Sequence, residues 1–247
     1  GLAQQEKGAE ILDVNVGLPE IDEKKMLTDA VCALQAIIDL PLQIDTSNTQ
    51  AMEAALRRYN GKAMINSVSG KQESMDAIFP LVKKYGGVVV ALTLDEKGIP
   101  ETAEGRVAIA KKIIDEAAKY GISKKDIIVD PLCLTISSEP DSALVTLKAV
   151  KLIREAGFKT SLGVSNVSFG LPKRDKINSA FFASALENGT AHLIADTDEA
   201  AIEKAKDIAE ITKELEEEGI RIKEHYKSTK QGQLEKNYLL SNKINLI

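Results

Sequence analysis

The sequence is poor in the side chains on which several common kinds of site depend. It has no tryptophan, and aromatic residues make up only 4% of its 247 residues. Aromatic platforms that stack nucleic-acid bases are therefore not expected. A formal net charge of −5 further disfavours a polyanionic partner, because such a partner is normally held by an excess of lysine and arginine.

Histidine and cysteine are almost as scarce. His192 and His225 are the only histidines, so the sequence offers little material for a histidine-rich metal centre or a Ser-His-Asp triad. Cys32 and Cys133 lie far apart, form no Cys-x-x-Cys motif and are interpreted as reduced core thiols. We therefore expect no metal site.

Targeting and membrane segments are also missing from the sequence as it is given. It contains no secretory signal and no apolar run of membrane-spanning length, from which we expect a cytoplasmic protein. The sequence starts with Gly1 in a helix-like stretch, so we expect the natural N-terminus to lie upstream.

The pattern that is present alternates short apolar runs with amphipathic stretches of helical length. The runs predict strands at 11–16, 42–45, 63–67, 88–93, 126–130, 159–164 and 191–195. The stretches predict helices at 23–39, 49–59, 72–85, 103–120, 143–156, 176–188 and 199–218. Seven strand–helix units favour a (β/α)₈ TIM barrel whose first strand is missing from this chain. We expect one barrel domain over residues 1–219 and a C-terminal extension over 220–247 that is either disordered or a docking segment.

Polar residues recur where the predicted strands end. They are Asp13, Asn15, Asp45, Asn66, Thr93, Asp95, Asp130, Asn166 and Asp196. The active site of a barrel is built at the carboxyl ends of its strands, so this set predicts a ligand pocket. Carboxylates and carboxamides without lysine or histidine suit a flat heterocycle that carries several N–H donors and a carbonyl. Because no lysine occupies a strand end, Schiff-base chemistry is disfavoured.

Most of these residues also have a purely structural explanation, as helix caps, turn formers or acceptors of buried backbone amides. That group comprises Asp13, Asp45, Asp130, Asn166 and Asp196. Asn66 is harder to explain in this way, because a buried amide without partners costs about 1–3 kcal/mol. The recurrence of such residues at successive strand ends favours a binding site.

Five short motifs, in this order and spacing, resemble a known family. They are Leu12-Asp-Val-Asn-Val-Gly17, Gln43-Ile-Asp-Thr-Ser-Asn48, Met64-Ile-Asn-Ser67, Val129-Asp-Pro-Leu132 and Leu162-Gly-Val-Ser-Asn-Val-Ser168. The stretch from Gly8 to about Ala209 is similar to the methyltetrahydrofolate:corrinoid iron–sulfur protein methyltransferases. It is nearly as similar to the pterin-binding domain of cobalamin-dependent methionine synthase.

The resemblance implies a pterin-binding barrel, usually a homodimer. It implies transfer of the N5-methyl group of methyltetrahydrofolate to the cob(I)amide of a corrinoid (cobalamin) protein or domain. By position, Asp45, Asn66 and Asp130 would hold the pterin ring, and Asn166 would contact N5 as the catalytic residue. The remaining expected substrate-binding residues are Asp13, Asn15 and Arg174.

Two alternatives stay open at this point. A dihydropteroate synthase-like condensing enzyme shares the pterin-binding barrel and would need basic residues for a pyrophosphate leaving group, for which Lys173 and Arg174 are candidates. A non-catalytic pterin-binding module is the other alternative. The motif Ser165-Asn-Val-Ser168 favours the methyltransferase over the condensing enzyme.

Overall fold

The structure is a computed structural model that describes residues 1–194. The predicted last helix, Asp196 and the predicted extension 220–247 lie outside the described residues. The described residues form two compact units, one of residues 1–131 with 152–161 and the other of residues 132–151 with 162–194.

The described residues contain seven strands in one sheet whose spatial order follows the chain. The strands are β1 (Leu12–Asn15), β2 (Leu42–Asp45), β3 (Met64–Ser69), β4 (Val88–Leu92), β5 (Ile127–Asp130), β6 (Lys159–Gly163) and β7 (His192–Ile194). Each neighbouring pair from β1 to β6 is parallel. Sequential order with helical crossovers is the topology of a (β/α)₈ barrel, so the predicted fold class is confirmed.

Seven α-helices occur in the described part of the chain. They are α1 (Leu2–Glu6), α2 (Glu23–Gln35), α3 (Thr49–Arg58), α4 (Gln72–Tyr85), α5 (Ala103–Lys119), α6 (Ser142–Glu155) and α7 (Arg174–Glu187). The prediction for α2 was too long, because it reached Asp39 and the helix ends at Gln35. Pro41 follows closely, and a proline disfavours helical backbone in the residue before it.

Strands β1 to β3 of the first unit have one apolar face and one face that carries polar residues. One face buries alternate residues such as Val14, Ile44 and Ile65 against helix residues that include Leu27 and Phe79. Because side chains alternate along a strand, the residues between them point to the opposite face. We call that opposite face the inner face. Towards β4 and β5 the inner face is apolar, with Met64, Val90 and Ile128 packed together.

The second unit has its own apolar cluster. Leu162, Val164 and Val167 pack with Ile177 and Phe181 of α7. Cys133 is buried in this cluster, Cys32 of the first unit is half-buried, and no disulfide joins the two. Of the two predicted core thiols, only Cys133 is a core residue, and their reduced state stays a prediction. No helix among residues 1–194 is both long and apolar enough to cross a bilayer.

Candidate functional site

Three of the predicted site residues form a row across neighbouring strands on the inner face. Asn15 of β1 lies opposite Asp45 of β2, and Asp45 lies opposite Asn66 of β3. The Asn15 amide Nδ2 donates a 2.9 Å hydrogen bond to Asp45 Oδ2, while its Oδ1 accepts one from the Gly17 N–H. Both ends of the Asn15 amide are therefore engaged, and Asn15 orients the Asp45 carboxylate.

Asp13 lies on the same face, one step earlier along β1. Its register partner is Gln43, whose Nε2 donates a 2.7 Å hydrogen bond to Asp13 Oδ1. Gln43 is buried, and its Oε1 has no hydrogen-bond partner among the described residues. Gln43 was not among the site residues predicted from the sequence. The available signal was its position two residues before Asp45, which places both side chains on one face.

Burial by surrounding protein atoms raises the pKa of the Asp13 and Asp45 carboxyl groups. Burial raises the pKa of Asp13 to about 6, against the lowering effect of the Gln43 hydrogen bond, and the nearby Asp45 raises it further. Burial also raises the pKa of Asp45, with the Asn15 hydrogen bond opposing it and Glu23 adding to it. Asp13 nevertheless keeps access to solvent, which limits the size of its shift. Ligand N–H donors directed at this face would relieve the cost of ionising both groups.

Asn66 offers a free amide to the same face. Its side chain is half-buried and makes no hydrogen bond within the described part of the chain, while its backbone carbonyl accepts from the Thr46 N–H. Asp45 and Asn66 line a cavity of about 430 Å³ together with Ser69, Lys71 and other residues at the ends of β2, β3 and β4. Cavities of roughly 300–1,000 Å³ are typical of small-molecule sites.

Asp130 ends β5 and lies opposite Leu92 of β4. It is buried, and its backbone carbonyl accepts a 3.0 Å hydrogen bond from the Thr93 N–H. Arg106 of α5, also buried, donates to the carbonyl oxygens of Pro100 and Pro131, both at 3.0 Å. Arg106 therefore supports the chain directly after Asp130.

Arg106 was likewise not among the functional residues predicted from the sequence. It occupies the buried stripe of α5 that includes Ala103, Ile109, Ala110 and Ile113. A charged residue on an apolar helical stripe is the signal that would have identified it.

In the second unit, Asn166 lies on a short 3₁₀ turn, Val164–Ser168, that directly follows β6. The prediction had extended the strand to Val164, whereas β6 ends at Gly163. Asn166 is exposed, and its amide lies so close to Gly163 that a Cβ there would be 3.1 Å from Nδ2. Helix α7 starts after Lys173 with no side-chain cap, so the capping explanation for Asn166 is wrong.

Arg174 contacts the turn that carries Asn166. Its Nε donates to Ser168 Oγ at 3.1 Å and its Nη2 donates to the Ser165 carbonyl at 3.0 Å. Ser168, which is buried, also bonds Asn178 Oδ1 at 2.7 Å. Arg174 thus supports the turn, and its direct contact with a substrate stays a prediction.

Hydrogen bonds decide whether Asp95 and Asp45 have the structural roles that strand-end residues can have. Asp95 Oδ1 accepts from the Lys97 N–H at 2.8 Å, which is a turn-forming role. Asp45 is not the cap of α3, because Asn48 Oδ1 accepts from the N–H groups of Gln50 and Ala51. Within residues 1–194 no three His, Cys, Asp or Glu side chains form a group that could hold a metal ion.

Comparison with known proteins places these features in a family context. The family model described as pterin binding enzyme matches residues 1–196. The chain is 32% identical over 202 residues to a methylcorrinoid:tetrahydrofolate methyltransferase of Eubacterium limosum, covering 79% of this chain and 73% of that protein. It is 30% identical over 200 residues to methionine synthase of Mycobacterium tuberculosis, covering 75% of this chain but only 17% of that protein.

Solved structures agree on the fold. Dihydropteroate synthase of Yersinia pestis superposes with a TM-score of 0.67 at 17% identity, covering 86% of each chain. The dihydropteroate synthase of Stenotrophomonas maltophilia gives a TM-score of 0.68 at 21% identity, covering 85% of each chain. At these identities the likeness is one of fold alone.

Proposed function

Because the chain belongs to the family of pterin binding enzymes, we propose that it is a methyltransferase acting on methyltetrahydrofolate and a corrinoid. In this proposal it moves the N5-methyl group of methyltetrahydrofolate to the cob(I)amide of a corrinoid protein or domain. The main structural support is the row of Asn15, Asp45 and Asn66 on one sheet face. Support for the chemistry comes from the names of relatives at 30–32% identity.

The inner face suits a pterin ring because the ring presents several N–H donors beside a carbonyl. In the proposal Asp45 accepts from ring N–H groups, and the free amide of Asn66 can both donate and accept. Asp130 is the third ring contact, and Asp13 with Asn15 borders the ring. A donor-rich ring also offsets the desolvation that raises the pKa values of Asp13 and Asp45.

Asn166 is the proposed catalytic residue. The methyl group leaves a tertiary amine, which becomes a good leaving group only when N5 is protonated. Solvent supplies that proton, and the side-chain oxygen of Asn166 accepts a hydrogen bond from N5–H⁺. The electron pair of cob(I)amide forms the cobalt–carbon bond, and N5 keeps the pair of the broken nitrogen–carbon bond as a neutral amine.

The reaction can run in either direction through the same transition state. The E. limosum relative is named as an enzyme that moves the methyl group from a methylcorrinoid to tetrahydrofolate. The proposed contacts of the pterin ring and of N5 would stabilise the transition state in that direction too. The chain spans 17% of the methionine synthase that it matches, so the proposal includes both a separate protein and a neighbouring domain as corrinoid carriers. A homodimer is proposed as well, and sedimentation equilibrium would test it.

The direct test joins a binding and a turnover measurement. Calorimetric titration with methyltetrahydrofolate should show one site, and cob(I)alamin should become methylated in a spectrophotometric assay. Binding without methylation would favour the non-catalytic module. Formation of dihydropteroate from a pterin pyrophosphate and p-aminobenzoate, with no methylation, would favour the condensing enzyme.

A further inference from the structure

The cavity beside Asp45 and Asn66 contains a lysine that the ring contacts do not use. We propose that Lys71 recognises the carboxylates at the glutamate end of the folate substrate, so that the site prefers substrates with a longer anionic tail. This inference rests on the proposed function, since it assigns the tail of the same ligand to the same cavity.

The charge of Lys71 is available for a ligand. Lys71 lines the cavity, its side chain is exposed, and it forms no ion pair within the part of the chain that is described. The hydroxyl groups of Ser47, Thr49 and Ser69 line the same space and supply further polar contacts. A cavity of about 430 Å³ holds more of a drug-sized ligand than its ring system alone.

The backbone next to Lys71 is fixed by three hydrogen bonds. The Gly70 N–H donates to the Leu94 carbonyl at 2.7 Å, and the Gly70 carbonyl accepts from Lys112 Nζ at 2.6 Å. The N–H of Gln72 donates to Glu96 Oε1 at 2.9 Å. We call these contacts the Gly70 clamp. They hold the backbone on both sides of Lys71 in place before any ligand binds, which removes the backbone part of the ordering cost of recognition.

The same contacts favour the lysine side chain over the first amide of α4 as the recognition group. The first amide of α4, that of Gln72, is already occupied by the Glu96 carboxylate. A ligand carboxylate in this cavity would therefore be recognised by Lys71 Nζ and the neighbouring hydroxyls.

Glu73 provides a variant with the opposite expected effect. It also lines the cavity, and its side chain has the same sign of charge as the proposed tail. Removing the charge of Glu73 should therefore strengthen tail binding, while removing the charge of Lys71 should weaken it.

The experiment compares three ligands by calorimetry at low salt. The ligands are tail-free 6-methyltetrahydropterin, monoglutamyl methyltetrahydrofolate and its triglutamyl form. Lys71→Gln should bind the triglutamyl ligand about two- to fivefold more weakly, the effect of one exposed ion pair, and should bind the tail-free ligand unchanged. Glu73→Gln should bind the triglutamyl ligand more tightly. Added salt should reduce both differences.

Lys111→Gln is the matched control, because Lys111 is an exposed lysine of α5 that does not line the cavity. Retained tail preference in Lys71→Arg would support the inference. If the Lys71 and Glu73 variants both bind all three ligands as the wild type does, or if Lys71→Gln weakens all three equally, the inference is overturned. If the wild type binds none of the three, the proposed function fails instead.

Discussion

Asn166 is an exposed amide on a 3₁₀ turn, and its proposed role depends on that accessibility. We predict that Asn166→Ala lowers kcat by about 10²–10³, the usual effect of losing one preorganised polar contact in a transition state. The affinity for methyltetrahydrofolate should change much less, because the ring contacts are retained. Steady-state methylation of cob(I)alamin at saturating methyltetrahydrofolate measures the first quantity, and calorimetry measures the second.

An aspartate at the same position is the informative companion variant. Asn166→Asp should recover part of the rate, because a carboxylate is a stronger acceptor for protonated N5. If instead Asn166→Ala loses binding and turnover in equal proportion, Asn166 only holds the pterin. If Asn166→Ala loses neither, the turn has no part in the reaction.

Asp13 gives a prediction about stability and pH. Its pKa in the folded protein is about 6, above the ordinary value of 3.8, so the folded state binds the extra proton between these values. The ionised carboxylate therefore lowers the free energy of unfolding as pH rises through 6, and this cost is absent below pH 3.8. We predict that Asp13→Asn is more stable than the wild type at pH 8.

The gain should be about 1 kcal/mol or less, because solvent access to Asp13 screens the effect. The asparagine keeps an oxygen for the Gln43 amide, so the existing hydrogen bond is preserved. Urea unfolding at pH 4 and pH 8 measures the difference, with Asp39→Asn, an exposed site, as control. A gain of equal size at both pH values would contradict the titration argument.

At the scale of elements, the Gly70 clamp ties the start of α4 to α5 and to the loop that precedes α5. Lys112 of α5 donates to the Gly70 carbonyl and lies 3.5 Å from Glu96 Oε2. We predict that Lys112→Met lowers the free energy of unfolding by about 1 kcal/mol, a value reduced from that of a buried charged hydrogen bond because the lysine is partly exposed. Thermal and urea unfolding measure this loss.

The neighbouring Lys111 supplies the control on the same helix. Lys111→Met makes the same lysine-to-methionine change at a side chain that does not contact Gly70. Its free energy of unfolding should stay within about 0.5 kcal/mol of that of the wild type. Equal losses in the two variants would show that the clamp contributes nothing beyond helix propensity. Gly70 itself tolerates no Cβ, because one would lie 2.7 Å from Ile109 Cγ2 and 2.9 Å from the Leu94 carbonyl.

At the scale of the whole molecule, ligand binding should be visible as stability. A ligand at 100 times its Kd stabilises a protein by about 2.7 kcal/mol if it binds only the folded state. For a chain of this size we expect methyltetrahydrofolate to raise the Tm by about 5–10 °C. Differential scanning fluorimetry measures the shift, with p-aminobenzoylglutamate alone as a control that should give a much smaller one. No shift at saturating methyltetrahydrofolate would count against a pterin site.

The sequence predicted much of the fold because its signals were local. Strand and helix positions follow from apolar periodicity, and caps such as Asn48 and Thr102 mark helix starts through bonds to nearby amides. Boundaries that depend on longer-range packing were less accurate, as at the end of α2. The turn after β6 was not predicted either, because its bonds come from residues such as Arg174 in the following helix.

What the sequence by itself determined is which side chains are available: carboxylates and amides at strand ends, and almost no histidine. The alternation of strands and helices also determined that those ends lie at one edge of a parallel sheet. Only the tertiary structure decided the pairings, such as Asn15 with Asp45 and Gln43 with Asp13, because strand register joins residues thirty positions apart. It also decided which polar groups are hydrogen-bonded within the protein, as Asp95 is in its turn, and which have no such partner among residues 1–194, as with the side chains of Asn66 and Lys71.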